Sequence, residues 1–78
     1  MEIQKLIEEI ARVLVDNPDD VVVSQIDGEQ TIVYELRVNE TDLGKIIGKN
    51  GNMIQSIRTL LKAASAKMGR RLMLEVIE

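Results

Sequence analysis

The chain contains no cysteine, histidine, tryptophan or phenylalanine, a single tyrosine and a single proline. Without cysteine there is no disulfide and no thiolate nucleophile. Without histidine as well, there is no imidazole base, and every common zinc ligand set is excluded. Catalysis would fall to carboxylates, lysines and hydroxyls, and the sequence brings no convincing group of these together. Asp19-Asp20 comes nearest to a carboxylate pair, but nothing beside it positions or desolvates it. No enzymatic activity, cofactor or metal is expected. Long apolar runs are missing too. Met1-Glu2-Ile3-Gln4-Lys5 leads straight into an amphipathic pattern, without a basic segment followed by an apolar one. A cytoplasmic protein without membrane insertion is the expectation.

What is present is enough for one core. The 78 residues, 45% of them hydrophobic, predict a single domain over 1–78. The net charge of −3 hides a division. Residues 1–42 carry Lys5, Arg12 and Arg37 against eleven acids, a net −8, whereas residues 43–78 carry seven bases against Glu75 and Glu78, a net +5. No acid lies between Lys45 and Arg71. An anionic partner for the second half is one reading, and a solvated basic helix face is the other.

Ile3, Leu6, Ile7, Ile10 and Leu14 fall on one helical face, and the helix must stop before Asn17-Pro18. The run 21–26 is β-branched and reads as a strand, with a turn at Asp27-Gly28 that extends to Gln30 if the loop is long. Ile32, Tyr34, Leu36 and Val38 alternate with Thr31, Val33, Glu35 and Arg37, the pattern of a half-buried strand that pairs with the first as a hairpin. N-cap residues at 39–42 start a short helix that ends at Gly48. A second helix runs from near Gly51 to about Met68, with Met53, Ile54, Ile57, Leu60, Leu61, Ala64 and Met68 on one broad core-facing side. Gly69 stops it, and Leu72, Leu74 and Val76 mark a last strand. The crossover over 39–69 is long enough to return that strand parallel to the second. The expected fold is α+β, in the order α-β-β-α-α-β, with three helices on one face of a mixed three-stranded sheet.

One stretch breaks the hydrophobic pattern: "GKIIGKNGN", residues 44–52. It is not a Walker A loop, because only three residues separate Gly44 from Gly48 and Lys49 is followed by Asn50. Nor is it a dinucleotide fingerprint, since no glycine stands two before Gly48. What remains is Gly48-Lys49-Asn50-Gly51 joining two helices. Two residues without Cβ let another backbone lie against them, and the loop feeds the N-terminus of a long helix, where free N–H groups favour phosphate.

Ile46-Ile47-Gly48-Lys49-Asn50-Gly51, between two helices and after a hairpin, resembles the GxxG signature of KH domains, and the element order is that of their type II arrangement. "DNPDDV", "GEQTIVYELRV", "DLGKIIGKNG" and "IRTLLKAASAK" extend the resemblance over nearly the whole chain, to the small bacterial type II KH-domain RNA-binding proteins, KhpA-like. The resemblance implies single-stranded RNA held in a groove beside the loop. Gly48, Lys49, Asn50 and Gly51 would hold the backbone, Ile46, Ile47 and Ile54 would line the groove, and Lys45 and Arg58 would add charge at its rim. Arg70 and Arg71 are further candidate contacts. Without the loop context, the three isoleucines read as plain core. Tyr34 reads as core or sheet surface, and stacking platforms of the RRM or OB-fold kind need more aromatics than this chain has. The family often has a basic residue after the second glycine, where this chain has Asn52. The resemblance further implies an RNA chaperone or post-transcriptional regulator working with a KhpB/Jag-type KH partner in cell-envelope growth and cell shape. A homodimer is a further expectation, since a chain this small gains stability by covering apolar helix surface. Two other readings stand beside this one, a protein-interaction subunit with a vestigial groove and a binder of small phosphate ligands.

Overall fold

The computed structural model describes residues 2–77. Helix α1 spans Ile3–Leu14, strand β1 Val22–Asp27, strand β2 Thr31–Arg37, helix α2 Leu43–Ile47, helix α3 Asn52–Met68 and strand β3 Arg71–Ile77. Single 3-10 turns at Pro18–Asp20, Glu40–Asp42 and Lys49–Gly51 join them. The order α-β-β-α-α-β is the expected one, and so is the sheet. β1 pairs antiparallel with β2, and β3 lies parallel to β2, which leaves β3 on an edge. This is the type II KH fold. No helix among the described residues is long and apolar enough to cross a membrane.

The alternation in β2 sets the inner face. Ile32, Tyr34 and Leu36 are buried, and the register puts Leu72 and Leu74 of β3 beside Ile32 and Tyr34. Val23 of β1 pairs with Leu36. The helices cover this face with Ile7 and Ala11 of α1, Ile46 of α2, and Ile54, Ile57 and Leu61 of α3. Each large aliphatic side chain buried this way contributes about 1.5–3 kcal/mol. Tyr34 is core, 2% exposed. Burial pushes its phenol pKa up, the charge of Asp27 pushes the same way, and Arg70 opposes both. The hairpin closes through Gly28, whose N–H donates to the Thr31 carbonyl at 2.8 Å, so the loop takes in residues 28–30.

Two helical stripes differ from expectation. In α1 the fully buried line is Ile7 and Ala11, with Ile3, Ile10 and Leu14 partly buried and packed against the core. In α3, Leu60 and Met68 are exposed rather than core-facing, at 56% and 46%. The apolar spacing of α3 allows a broader arc than the three-stranded sheet covers.

Asp42 joins distant parts of the chain. It is 1% exposed, and its carboxylate accepts the Asp16 N–H at 3.2 Å, the Asn17 N–H at 3.0 Å and the Asn17 Nδ2 at 3.0 Å. The Lys45 Nζ lies 3.7 Å from it and 3.3 Å from Asp16. Burial works against the Asp42 charge. The Asn17 side chain, the two amides and the Lys45 ammonium outweigh burial, and the pKa lies below the ordinary aspartate value.

Candidate nucleic-acid interface

The loop between α2 and α3 has three of its four residues, all but Lys49, near left-handed or glycine-specific backbone. Gly48 has φ 77° and ψ 173°, Asn50 has φ 57°, and Gly51 has φ 76°. The Gly48 N–H closes α2 on the Gly44 carbonyl at 2.9 Å, and the Gly51 N–H closes the turn on the Gly48 carbonyl at 3.1 Å. The two glycines serve different ends. A Cβ on Gly48 would stand 2.6 Å from the Met53 Cβ and 2.8 Å from the Met53 N, so this glycine lets α2 and α3 meet. A Cβ on Gly51 would meet nothing within 4 Å. Open space lies over Gly51, where another backbone can approach, and only its positive φ demands glycine.

α3 begins directly after this loop, with no side chain capping its N-terminus and no acid in its first turn. The Asn52 N–H is taken up by the Lys49 carbonyl, and the positive end of this 17-residue helix lies beside Lys49 with no acid to offset it. Lys49 and Asn50 are exposed.

A cleft of about 570 Å³ runs between α3 and the edge strand. Arg58, Leu61, Lys62 and Ser65 line it from the helix, and residues 71–74 from β3. Its walls carry three cations and no acid. The Arg58 Nη2 donates to the Leu74 carbonyl at 3.4 Å, covering part of an edge backbone that no neighbouring strand pairs with. From Gly51 to Arg58, α3 rises roughly 10 Å, so loop and cleft are successive stations on one helix. The arrangement can hold an extended anionic chain, with phosphates at the loop and flatter groups against Leu61, Leu72 and the edge backbone.

The expected site residues divide. Gly48, Lys49, Asn50 and Gly51 form one turn, with Lys49 and Asn50 exposed and the two glycines half-buried, and Arg58 and Arg71 line the cleft. Ile47 is 42% exposed and available as surface. Ile46 is 0% exposed, so its expected place on a groove wall is corrected: it anchors α2 in the core. Ile54, at 6%, does the same for α3. Lys45 is held by Asp16 and Asp42. Arg70 is turned to the hairpin, where it donates to the Gly28 carbonyl and to Asp27 at 3.4 Å. Lys62 and Ser65 were not expected in the site. Their signal was their spacing from Arg58, one and two turns along the same helix.

A family model described as "KhpA/KhpB, KH domain" matches residues 4–76. The RNA-binding protein KhpA of Clostridium acetobutylicum is 49% identical over 74 residues, covering 95% of this chain and 99% of that protein. The RNA-binding protein KhpA of Caldanaerobacter subterraneus subsp. tengcongensis is 51% identical over 73 residues, covering 94% and 97%. Among solved structures, Era of Aquifex aeolicus overlays with a TM-score of 0.66 at 22% identity, over 95% of this chain and 29% of that one. At that identity the likeness is one of fold.

Proposed function

Because the chain belongs to the KhpA/KhpB KH-domain family, we propose that it is a non-enzymatic protein that binds single-stranded RNA at the 48–51 loop and along the α3–β3 cleft. One observation carries this reading. The uncapped end of α3, the open space over Gly51 and an acid-free cleft bearing Arg58, Lys62 and Arg71 lie in sequence along one helix. Phosphates fit the loop, since backbone N–H groups and Lys49 face them without a competing carboxylate. The cleft accommodates bases through aliphatic contact and the edge backbone, because Tyr34 is buried and supplies no stacking surface.

The finer parts of the reading rest on family resemblance. They are chaperone or regulatory action on RNA, partnership with a KhpB/Jag-type KH protein, and a part in cell-envelope growth and cell shape; the cytoplasm and a homodimer are expectations drawn from the sequence itself.

The test is titration of labelled single-stranded RNA at several salt concentrations. Replacing the glycines themselves would confound it, because any side chain at Gly48 collides with Met53. Lys49→Asp with Asn50→Asp keeps both glycines and puts two carboxylates where phosphates approach. Affinity is expected to fall at least about tenfold. With about three phosphates neutralised, the wild-type log–log salt slope is near −2. A double variant that keeps its circular dichroism spectrum and binds as tightly as wild type would remove the loop from the site and favour the interaction-subunit reading.

A further inference from the structure

The residue before α2 does not do what its position suggests. Asp42 is the N-cap of that helix, where an aspartate ordinarily accepts an N–H from its own first turn. Its side chain caps nothing in α2. The carboxylate faces the segment after α1 instead, accepting two backbone amides and a side-chain amide from Asp16 and Asn17, 26 and 25 residues away in sequence. Lys45, three residues on, spans Asp42 and Asp16 and closes the junction from the helix side.

α2 has only five residues, too few to hold a direction by its own hydrogen bonds. Three things orient it. Ile46 is fully buried, Leu43 is partly packed against the core, and Asp42 ties down its first end. Its other end is Gly48, which has no slack because it lies hard against Met53 at the start of α3. A tilt of α2 at Asp42 is therefore delivered to the 48–51 turn, and α2 has no other exit.

We infer that Asp42 is a positioning residue for RNA binding: it sets the angle of α2 from the α1–β1 connection and thereby the geometry of the loop. It touches no RNA. This rests on the loop being the RNA site, but part of its test does not.

The test compares Asp42→Ala, Asp42→Asn and Val15→Ala, the last a core cavity that leaves the carboxylate alone. All are measured at a temperature where circular dichroism shows full folding. Asp42→Ala is expected to move the amide resonances of residues 48–51 and to weaken RNA binding by about tenfold. Asp42→Asn keeps an acceptor oxygen and recovers part of both effects. Val15→Ala lowers the melting temperature yet leaves the loop resonances and affinity in place. If Asp42→Ala fails to fold, Asp42→Asn carries the test, with a smaller loop shift and weaker binding expected. Unmoved 48–51 resonances in a folded Asp42 variant overturn the inference, as does equal weakening by Val15→Ala. A wild type that binds no RNA while the resonances still move defeats the RNA reading and leaves the positioning role standing.

Discussion

Lys45 and Arg70 stand beside the candidate site in the sequence just as Arg58 and Lys62 do, and the fold treats the two pairs differently. Lys45 lies between two aspartates, and Arg70 grips the hairpin turn. Arg58 and Lys62 look into the cleft and make no ion pair among the described residues. A positive charge already facing a carboxylate brings little new attraction to a phosphate, since the local field is largely cancelled. A positive charge with no carboxylate beside it is reduced only by solvent and salt. The +5 of the second half is thus no measure of the site: part of it holds the protein together and part is left for a ligand.

The largest separation between the two groups is expected from charge reversal. Arg58→Glu with Lys62→Glu should weaken single-stranded RNA binding by about 30-fold, roughly 2 kcal/mol, as two favourable contacts become repulsions. Both side chains are exposed and the Arg58 bond to the Leu74 carbonyl is long, at 3.4 Å, so stability read from the urea midpoint should fall by no more than about 1 kcal/mol. Fluorescence anisotropy and a denaturation curve on the same sample decide the matter. Reversal without loss of affinity would mean that the cleft is not the path of the RNA and would dissolve the distinction.

Much of this was legible beforehand, and the parts that were not have a common cause. The strand alternation of β2, the proline stop, the glycine stop at Gly69 and the helical crossover are all local signals, and they yielded the element order and the mixed sheet. The turn 48–51 was also legible, because two glycines between amphipathic segments are hard to explain otherwise. Partner choice was not. That Lys45 meets Asp16 and that Arg70 meets Gly28 depends on residues 29 and 42 positions away. The same holds for Ile46, whose neighbour Ile47 is equally apolar but 42% exposed, a difference of about 100° on a short helix. Gly48 was expected to make room for RNA, and what it makes room for is Met53.

A middle-sized effect is expected on the other side of the comparison. Arg70→Ala removes the donors to Asp27 and the Gly28 carbonyl, which fasten the hairpin loop to the turn before β3. The Nε of Arg70 is buried without a partner, and the side chain is 34% exposed, so part of what is lost was already offset or screened. Stability should fall by roughly 1 kcal/mol, read from the urea midpoint, while RNA affinity changes no more than about twofold. An affinity loss as large as that of the cleft reversal would return Arg70 to the list of RNA contacts.

The smallest effect belongs to Lys45, and it appears in acid. Asp42 has its pKa lowered on folding, so the native state holds the carboxylate charged at a pH where the unfolded chain has begun to take up a proton. Its contribution is complete above the ordinary aspartate value and is lost as pH falls through the folded value. Burial opposes the charge, and among the influences that support it Lys45 is the weakest, after the Asn17 side chain and the Asp16 and Asn17 amides. In Lys45→Ala the folded pKa therefore rises a little toward the unfolded one, and the acid transition moves to higher pH by a small step. At neutral pH the melting temperature should drop by no more than roughly 3 °C, because the lysine side chain is 45% exposed and its pairs are screened. RNA affinity should stay within about twofold of wild type. The acid transition followed by circular dichroism, together with one RNA titration at neutral pH, checks both halves. A shift of the transition to lower pH contradicts the assigned direction. A fall in affinity like that of Arg58→Glu with Lys62→Glu would show that the lysine leaves its aspartates for phosphate, and the division between engaged and free cations would then hold for Arg70 alone.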